Sequence, residues 1–313
     1  MSTAIPILII TGQTASGKER LAVEVARRLG GEIVSADSMK VYRSMDIGTA
    51  KASAAQRQAV PHHLLDLADP GETFSTALWS RLADATLADI HARGRVPIVS
   101  GGTPLYLKAL LEGMFEGPAA DAALRERLAA EAAALGTPAL HDRLAAVDPE
   151  AAARIHPNDL RRIVRGLEIY ELTGSPISQL QKQWGSRRPQ YKPLTVAVRR
   201  QREDLTRRIQ DRVARMIEAG LLEEVRALAA RPGGLAQGPR QAVGYAEVLD
   251  HLDGRMTWDE AVASIVAHTR QFARRQTTWL SRFEGVVWLD AAPDVLPESL
   301  ADRVVERWRR HGE

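Results

Sequence analysis

No cysteine occurs in the 313 residues, which excludes disulfide scaffolds, thiolate zinc sites and cysteine nucleophiles. Long apolar runs are missing too: stretches such as Ile5–Ile10 are far too short to span a bilayer. The N-terminus lacks the basic region and extended apolar stretch of a secretory signal, so a cytoplasmic protein is the expectation. Neither sign of charge dominates, since 42 Lys+Arg stand against 39 Asp+Glu. What is present, 45% hydrophobic and 26% charged residues, is ordinary for a globular chain of one large domain or two modest ones. The positive charge is concentrated: residues 151–285 hold 23 Lys+Arg and 15 Asp+Glu, and the remainder 19 and 24. A basic segment on a nearly neutral chain suits a polyanionic partner, and suits solvated helix faces equally well.

The first hundred residues alternate short β-branched runs with helical patterns. Ile5–Ile10, Glu32–Ser35 and Val96–Ser100 read as strands, the last after an amphipathic stretch from Ser75 to Arg93. Unbroken apolar runs suit strands covered on both faces, and intervening helices imply a parallel α/β sheet. From Gly117 the texture changes. Pro118 to Gly136 and Asp159 to Gly174 are rich in helix formers, with Asn158 or Asp159 placed to cap the second. After the polar stretch Gln183–Pro193, Leu194–Val198 reads as a strand returning to the sheet. Long helical patterns over Arg202–Ala230 and Thr257–Phe283 follow, and Val286–Leu289 is the last strand candidate. The organisation expected is a core over 1–117 and 186–313 with a helical insertion over 118–185.

The strongest local signal is Gly12-Gln13-Thr14-Ala15-Ser16-Gly17-Lys18, between a strand and the helical pattern Arg20–Leu29. That is the context of a P-loop: glycines let successive amides face phosphate oxygens, the helix N-terminus adds positive potential, and Lys18 neutralises the anion. By motif alone such a loop also suggests nucleotide (ATP) binding. The motif normally ends in a Ser or Thr that ligates Mg²⁺, yet Glu19 stands here. Its carboxylate is either a direct metal ligand or a solvent-facing group. Phosphoryl transfer also calls for an acid at another strand end. Val96–Ser100 runs into Gly101-Gly102-Thr103 without one, which leaves Asp37, after Ser35-Ala36, as metal ligand or general base.

Several further segments stand in a fixed order. They are Ser35-Ala36-Asp37-Ser38-Met39, Val41-Tyr42-Arg43, Met45–Lys51, Pro61–Asp66, Gly101-Gly102-Thr103 and Tyr106–Leu111. His156-Pro157-Asn158-Asp159, Val243-Gly244-Tyr245 and Arg274-Arg275-Gln276-Thr277-Thr278-Trp279 follow. Together with Gly12–Lys18, over about residues 8–290, this set resembles the bacterial-type tRNA dimethylallyltransferases (tRNA isopentenyltransferases). The resemblance implies a P-loop NTPase-like parallel α/β core with an inserted helical domain. It implies transfer of a dimethylallyl group from dimethylallyl diphosphate to N6 of an adenine beside the tRNA anticodon, with release of diphosphate and help from Mg²⁺. A P-loop that holds a diphosphate need not hold a nucleotide.

The roles implied are specific. Gly12 to Lys18, with Glu19, surround the diphosphate. Arg212, in Arg208-Ile209-Gln210-Asp211-Arg212, matches the family's second arginine and clamps the leaving group. Asp37 matches the proposed general base. Thr103 matches a position near diphosphate and target base, though locally it also suits a helix cap before Pro104. Positions matching tRNA contacts are Asp37, Ser38, Met39 and Lys40; Arg161, Arg162, Ile163, Val164 and Arg165; and Arg240, Gln241, Ala242, Val243, Gly244 and Tyr245. A further run comprises Arg274, Arg275, Gln276, Thr277, Thr278 and Trp279, with Arg270 on the face of Arg274. Trp279 suits a core position as well as a base-stacking one. The target adenine would have to be drawn out of its stack. Besides Glu19, Gln13 replaces the family's usual Pro and Lys40 its usual Gln. His62-His63 lies within a family segment, but no third ligand stands at metal spacing, so packing is expected rather than zinc.

The residues leave other readings open. A nucleoside- or nucleotide-kinase-like enzyme would use the same loop, against which stand Glu19 and the missing acid after Ser100. An RNA-binding protein with a decayed loop is a second, and prenylation of free adenine nucleotides a third. The expected partners are tRNA and dimethylallyl diphosphate, with no membrane, and the expected state is a monomer.

Overall fold

The computed structural model describes residues 4–115, 117–181, 187–293, 295 and 297–312. Positions 183–186 of the expected polar stretch, and with them the expected junction at 185/186, lie outside the described residues. The chain divides into two compact units, Met1–Leu111 with Arg188–Glu313, and Glu112–Arg187.

The first unit is a parallel sheet. In chain order, β1 is Ile5–Gly12, α1 Lys18–Leu29, β2 Gly31–Ser35, α2 Ala54–Ala59, β3 His62–His63, α3 Thr76–Ala92, β4 Val96–Ser100 and α4 Pro104–Glu112. The second unit supplies α5 (Ala122–Leu135), α6 (Thr137–Val147), α7 (Pro149–Arg154), α8 (Leu160–Thr173) and α9 (Ile177–Leu180). The first then resumes with β5 (Tyr191–Arg199), α10 (Arg202–Glu218), α11 (Leu221–Ala229), α12 (Gln237–Arg240), α13 (Tyr245–Leu252), α14 (Trp258–Leu280), β6 (Val286–Asp290) and α15 (Pro297–Gly312).

The strand order is β3-β2-β4-β1-β5-β6, and every pairing is parallel. Strand side chains alternate between faces. On β1, Ile7 and Ile9 therefore join the core under α3, α10 and α14, while Leu8 and Ile10 join the core under α1 and α15. That is why the strand reads as an unbroken apolar run. β5 starts at Tyr191, earlier than its apolar run, because it pairs with β1 from Ile5↔Tyr191 to Gly12↔Val198. Pro193 is tolerated because β6 joins only from Thr195, leaving one side of the strand unpaired there. The pair His62-His63 forms an edge strand against Ile33 and Val34. The His63 Nε2 sits 2.7 Å from Glu32 Oε2.

The expected single helix over Arg202–Ala230 is two helices. Gly220, at φ 94°, is left-handed and starts α11 anew. The helical unit packs around Leu128, Leu140, Leu144, Ile163 and Leu167. Its α8 is capped by the Asp159 carboxylate, which accepts from Arg162 N at 3.2 Å. The fully buried Glu168 is bound by Arg125 and Arg165. This unit begins at Glu112, ahead of the composition change at Gly117. The core chain leaves and re-enters at one place: Arg188 N donates to Leu111 O at 2.8 Å.

Candidate active site

β1, β2 and β4 are neighbours in register, with Ile10 and Ser35 both opposite Ser100. Their C-terminal ends therefore deliver the segments 12–17, 36–38 and 101–103 to one edge of the sheet. In open parallel sheets that edge, where strand order reverses about a central strand, is where ligands bind.

The segments are tied together. Gly101 passes so close to Ala36 that a Cβ there would lie 2.2 Å from the Ala36 carbonyl oxygen, which only glycine permits. Thr103 N donates to Ala36 O at 3.2 Å, and Thr103 Oγ1 accepts from Ser38 N at 3.0 Å. The amides of Tyr106 and Leu107 at the start of α4 bond the Thr103 backbone carbonyl. The Thr103 hydroxyl is thus turned toward Ser38 instead of capping the helix. Asp37 Oδ1 accepts from Met39 N at 2.9 Å, and among the described residues its other oxygen has no partner.

The glycine loop is gripped from outside. Arg208 Nε donates to Ala15 O at 2.9 Å and Arg200 Nε to Ser16 O at 2.7 Å. Arg200 is itself held by Asp204 at 2.9 Å, with both side chains buried. Because the peptide is planar and trans, the Gly17 N–H points opposite to the Ser16 carbonyl and so away from Arg200. Gly17, at φ 93°, turns the chain into α1. From α14, Gln276 Oε1 accepts from Thr14 N and Gln276 Nε2 donates to Gly102 O, both at 2.7 Å. Gln13 Nε2 donates to Thr277 Oγ1 at 2.8 Å. Arg212 NH1 reaches Thr14 Oγ1 at 3.2 Å. The buried oxygens Ser16 Oγ, Gln13 Oε1 and Ser100 Oγ have no hydrogen-bond partner among the described residues. Such atoms are rare in folded proteins, and Ser16 Oγ lies within the loop that an anion would fill.

Lys18 is 7% exposed, and its Nζ lies 3.3 Å from Gln13 O. Burial, first of all, and the Lys40 charge lower its pKa to about 8, against an upward pull from Glu19 and Asp37. The cation is present below that value and lost above it. Inorganic diphosphate affinity, read by calorimetry, should therefore fall as pH rises past about 8, by up to about tenfold per unit for one linked proton. Burial likewise depresses Arg212, opposed by the Asp37 and Glu19 charges; a guanidinium stays charged regardless.

Glu19 does not fit a magnesium ligand here. Its Oε1 lies 3.2 Å from Lys40 Nζ, so an ammonium holds the carboxylate. Among the described residues no group of three or more His, Asp or Glu side chains is arranged to hold a metal ion.

The positions matched to tRNA contacts divide by exposure. Arg240, Gln241, Arg270, Arg274, Arg275, Thr278, Arg161 and Arg162 are exposed. Arg165 is engaged with Glu168 and Pro118 O. Ile163 and Val164 face the core of the helical unit. Gln276 is buried behind the glycine loop, and Lys40 is buried against Glu19. Tyr245 is fully buried, its hydroxyl donating to Glu224 Oε1 at 2.6 Å, and Gly48 leaves room for its ring. Ala242, Val243, Thr277 and Trp279 are half-buried, and Gly244 is buried. Ser38 and Met39 are half-buried beside Thr103. Sequence reasoning missed Arg200, Asp204 and Arg208. Their signal was the recurrence of charge every four residues, 200, 204, 208 and 212, of which the last three share one face of α10 and Arg200 stands just before it.

A parallel sheet whose central strand feeds a glycine loop, a lysine and a helix defines the P-loop class of α/β proteins. The family model described as IPP transferase matches residues 40–283, and the chain belongs to that family. It is 53% identical to the tRNA dimethylallyltransferase of Anaeromyxobacter dehalogenans (strain 2CP-C), over 96% of this chain and 99% of that one. Its fold is similar to the crystal structure of full-length tRNA isopentenylpyrophosphate transferase from Bacillus halodurans. The two share 39% identity and a TM-score of 0.72, over 98% of each chain. It is also similar to a eukaryotic dimethylallyltransferase caught acting on tRNA. There the identity is 28% and the TM-score 0.78, over 92% of this chain and 74% of the other.

Proposed function

We propose that this chain transfers a dimethylallyl group from dimethylallyl diphosphate to the exocyclic N6 of an adenine beside the tRNA anticodon. The observation that carries the reading is the convergence of Asp37, Thr103, Lys18 and Arg212 on one glycine loop at the sheet edge. An allylic diphosphate ionises once its departing charge is neutralised. Lys18, Arg212 and the amides of the glycine loop supply fixed positive potential, with no reorganisation at the moment of reaction. As the allylic carbon–oxygen bond breaks, its electron pair leaves on diphosphate. The N6 lone pair forms the new carbon–nitrogen bond, and the displaced N6 proton passes to the unengaged oxygen of Asp37. Thr103, whose hydroxyl is held by Ser38 N at 3.0 Å, would contact the diphosphate and the target base from the same sheet edge.

The exposed arginines Arg270, Arg274 and Arg275 of α14, with Arg282 just after it, give the first unit basic surface for RNA phosphates, and the helical unit has exposed Arg161 and Arg162 of its own. Affinity for tRNA should therefore drop steeply with salt. A slope of about −0.7 in log–log form per single-strand phosphate contacted is the yardstick, and filter binding across a salt series measures it. The reaction itself is tested by incubating the protein with dimethylallyl diphosphate and total tRNA, then analysing the nucleosides by mass. Appearance of prenylated adenosine supports the reading. Its absence, with phosphate transfer from ATP in its place, would overturn it.

A further inference from the structure

The wall of the glycine loop contains an ion pair that the reaction as derived leaves idle. Glu19 lies in the first turn of α1, and Lys40 follows β2 by a short turn. Glu19 Oε1 and Lys40 Nζ are 3.2 Å apart, with the lysine side chain 6% exposed and the glutamate side chain 36%. In other phosphate loops this position carries a hydroxyl that ligates Mg²⁺, and the metal bridges the phosphates. Here a metal could take the carboxylate only by displacing Lys40, which would strand a buried ammonium without its counter-charge.

The titratable groups facing Glu19 favour its charged carboxylate. Burial raises the Glu19 carboxyl, but Lys40 and Lys18 outweigh it and hold the group below its ordinary range. His62 faces Glu19 as well, and burial lowers its pKa, so it contributes no charge at neutral pH. The Asp37 and Arg212 charges act on Lys18, and Arg212 also feels the Glu19 carboxylate. An ammonium has three donors, and among the described residues Glu19 is the sole partner of the Lys40 Nζ. Two donors remain for phosphate oxygens.

We propose that Lys40, held by Glu19, is the protein's own counter-cation for the diphosphate, in the place that a hydroxyl-bound metal ion takes in other phosphate loops. This rests on the diphosphate reading above. It makes diphosphate capture by this chain largely indifferent to Mg²⁺. Removing Lys40 releases the Glu19 carboxylate, which then repels the anion unless a metal bridges them.

The test is calorimetric titration of the full chain with inorganic diphosphate, in excess EDTA and in excess Mg²⁺. The unmodified protein should change affinity by less than about tenfold between the two buffers, while Lys40→Gln should lose about tenfold or more in EDTA and recover with Mg²⁺. The double variant Glu19→Thr with Lys40→Gln restores a neutral pair and a metal-binding hydroxyl. It should show the same metal requirement, which covers the case in which the single variant fails to fold. Loss of tenfold or more by the unmodified protein in EDTA overturns the proposal, as does a Lys40→Gln variant that binds equally well without metal. Failure of the unmodified protein to bind diphosphate in either buffer would sink the diphosphate reading itself.

Discussion

Replacing Asp37 with alanine is expected to slow prenyl transfer by about 10³-fold, within the usual range for loss of a positioned proton acceptor. Affinity for tRNA should stay within a few-fold. The carboxylate follows β2 and is oriented through one oxygen by Met39 N at 2.9 Å, which leaves the other oxygen to meet the amine. Neutral aromatic amines are poor nucleophiles, and the proton must go as the new bond forms. Single-turnover measurement with saturating tRNA isolates this step from binding. Asp37→Asn keeps the shape and the Met39 contact but cannot accept the proton, so it should fail as severely as alanine. Normal turnover in either variant would remove Asp37 from the role.

Arg212→Ala should produce the other large loss, about 10²- to 10³-fold in kcat/KM for dimethylallyl diphosphate, comparable to removal of one preorganised donor to developing charge. Its guanidinium touches Thr14 Oγ1 at 3.2 Å, and burial makes its unpaired charge costly until an anion arrives. Lysine at this position retains a charge but loses the planar fork, so Arg212→Lys should recover only part of the loss. Steady-state kinetics with varied diphosphate substrate at fixed tRNA reads both variants. An unchanged kcat/KM in Arg212→Ala would place the leaving group elsewhere.

The parallel core was legible because its strands are apolar on both faces. The runs Ile5–Ile10, Val96–Ser100 and Val286–Leu289 carry the signal in their composition. What escaped were features decided by pairing rather than pattern. The two-residue strand His62-His63 is too short to have a period, and the early start of β5 follows from its register against β1. The break at Gly220 was hidden by an otherwise unbroken helical pattern.

At the site, Gly12 to Lys18 announced themselves through a local motif whose physics is contained in a few consecutive residues. Gln276 and Tyr245 stood among the positions matched to tRNA contacts. Both are buried, because Gln276 satisfies the amide of Thr14 and the carbonyl of Gly102, while Tyr245 fills the space left by Gly48. Those partners lie far away in the chain, so no local spacing could reveal them. The pairing of Glu19 with Lys40 was hidden for the same reason. Each looked like an isolated oddity until β2 and α1 brought them together.

The hydrogen bond from Arg188 N to Leu111 O closes the doorway through which the chain departs and comes home. An excursion whose two ends already touch adds little chain-closure penalty to its host, since that penalty grows only slowly with loop length. It behaves as a cassette. A tight turn joining Leu111 to Arg188 would leave every strand of the sheet in place. Natural variation in the excursion's length can accordingly accumulate without disturbing the chemistry of the sheet edge.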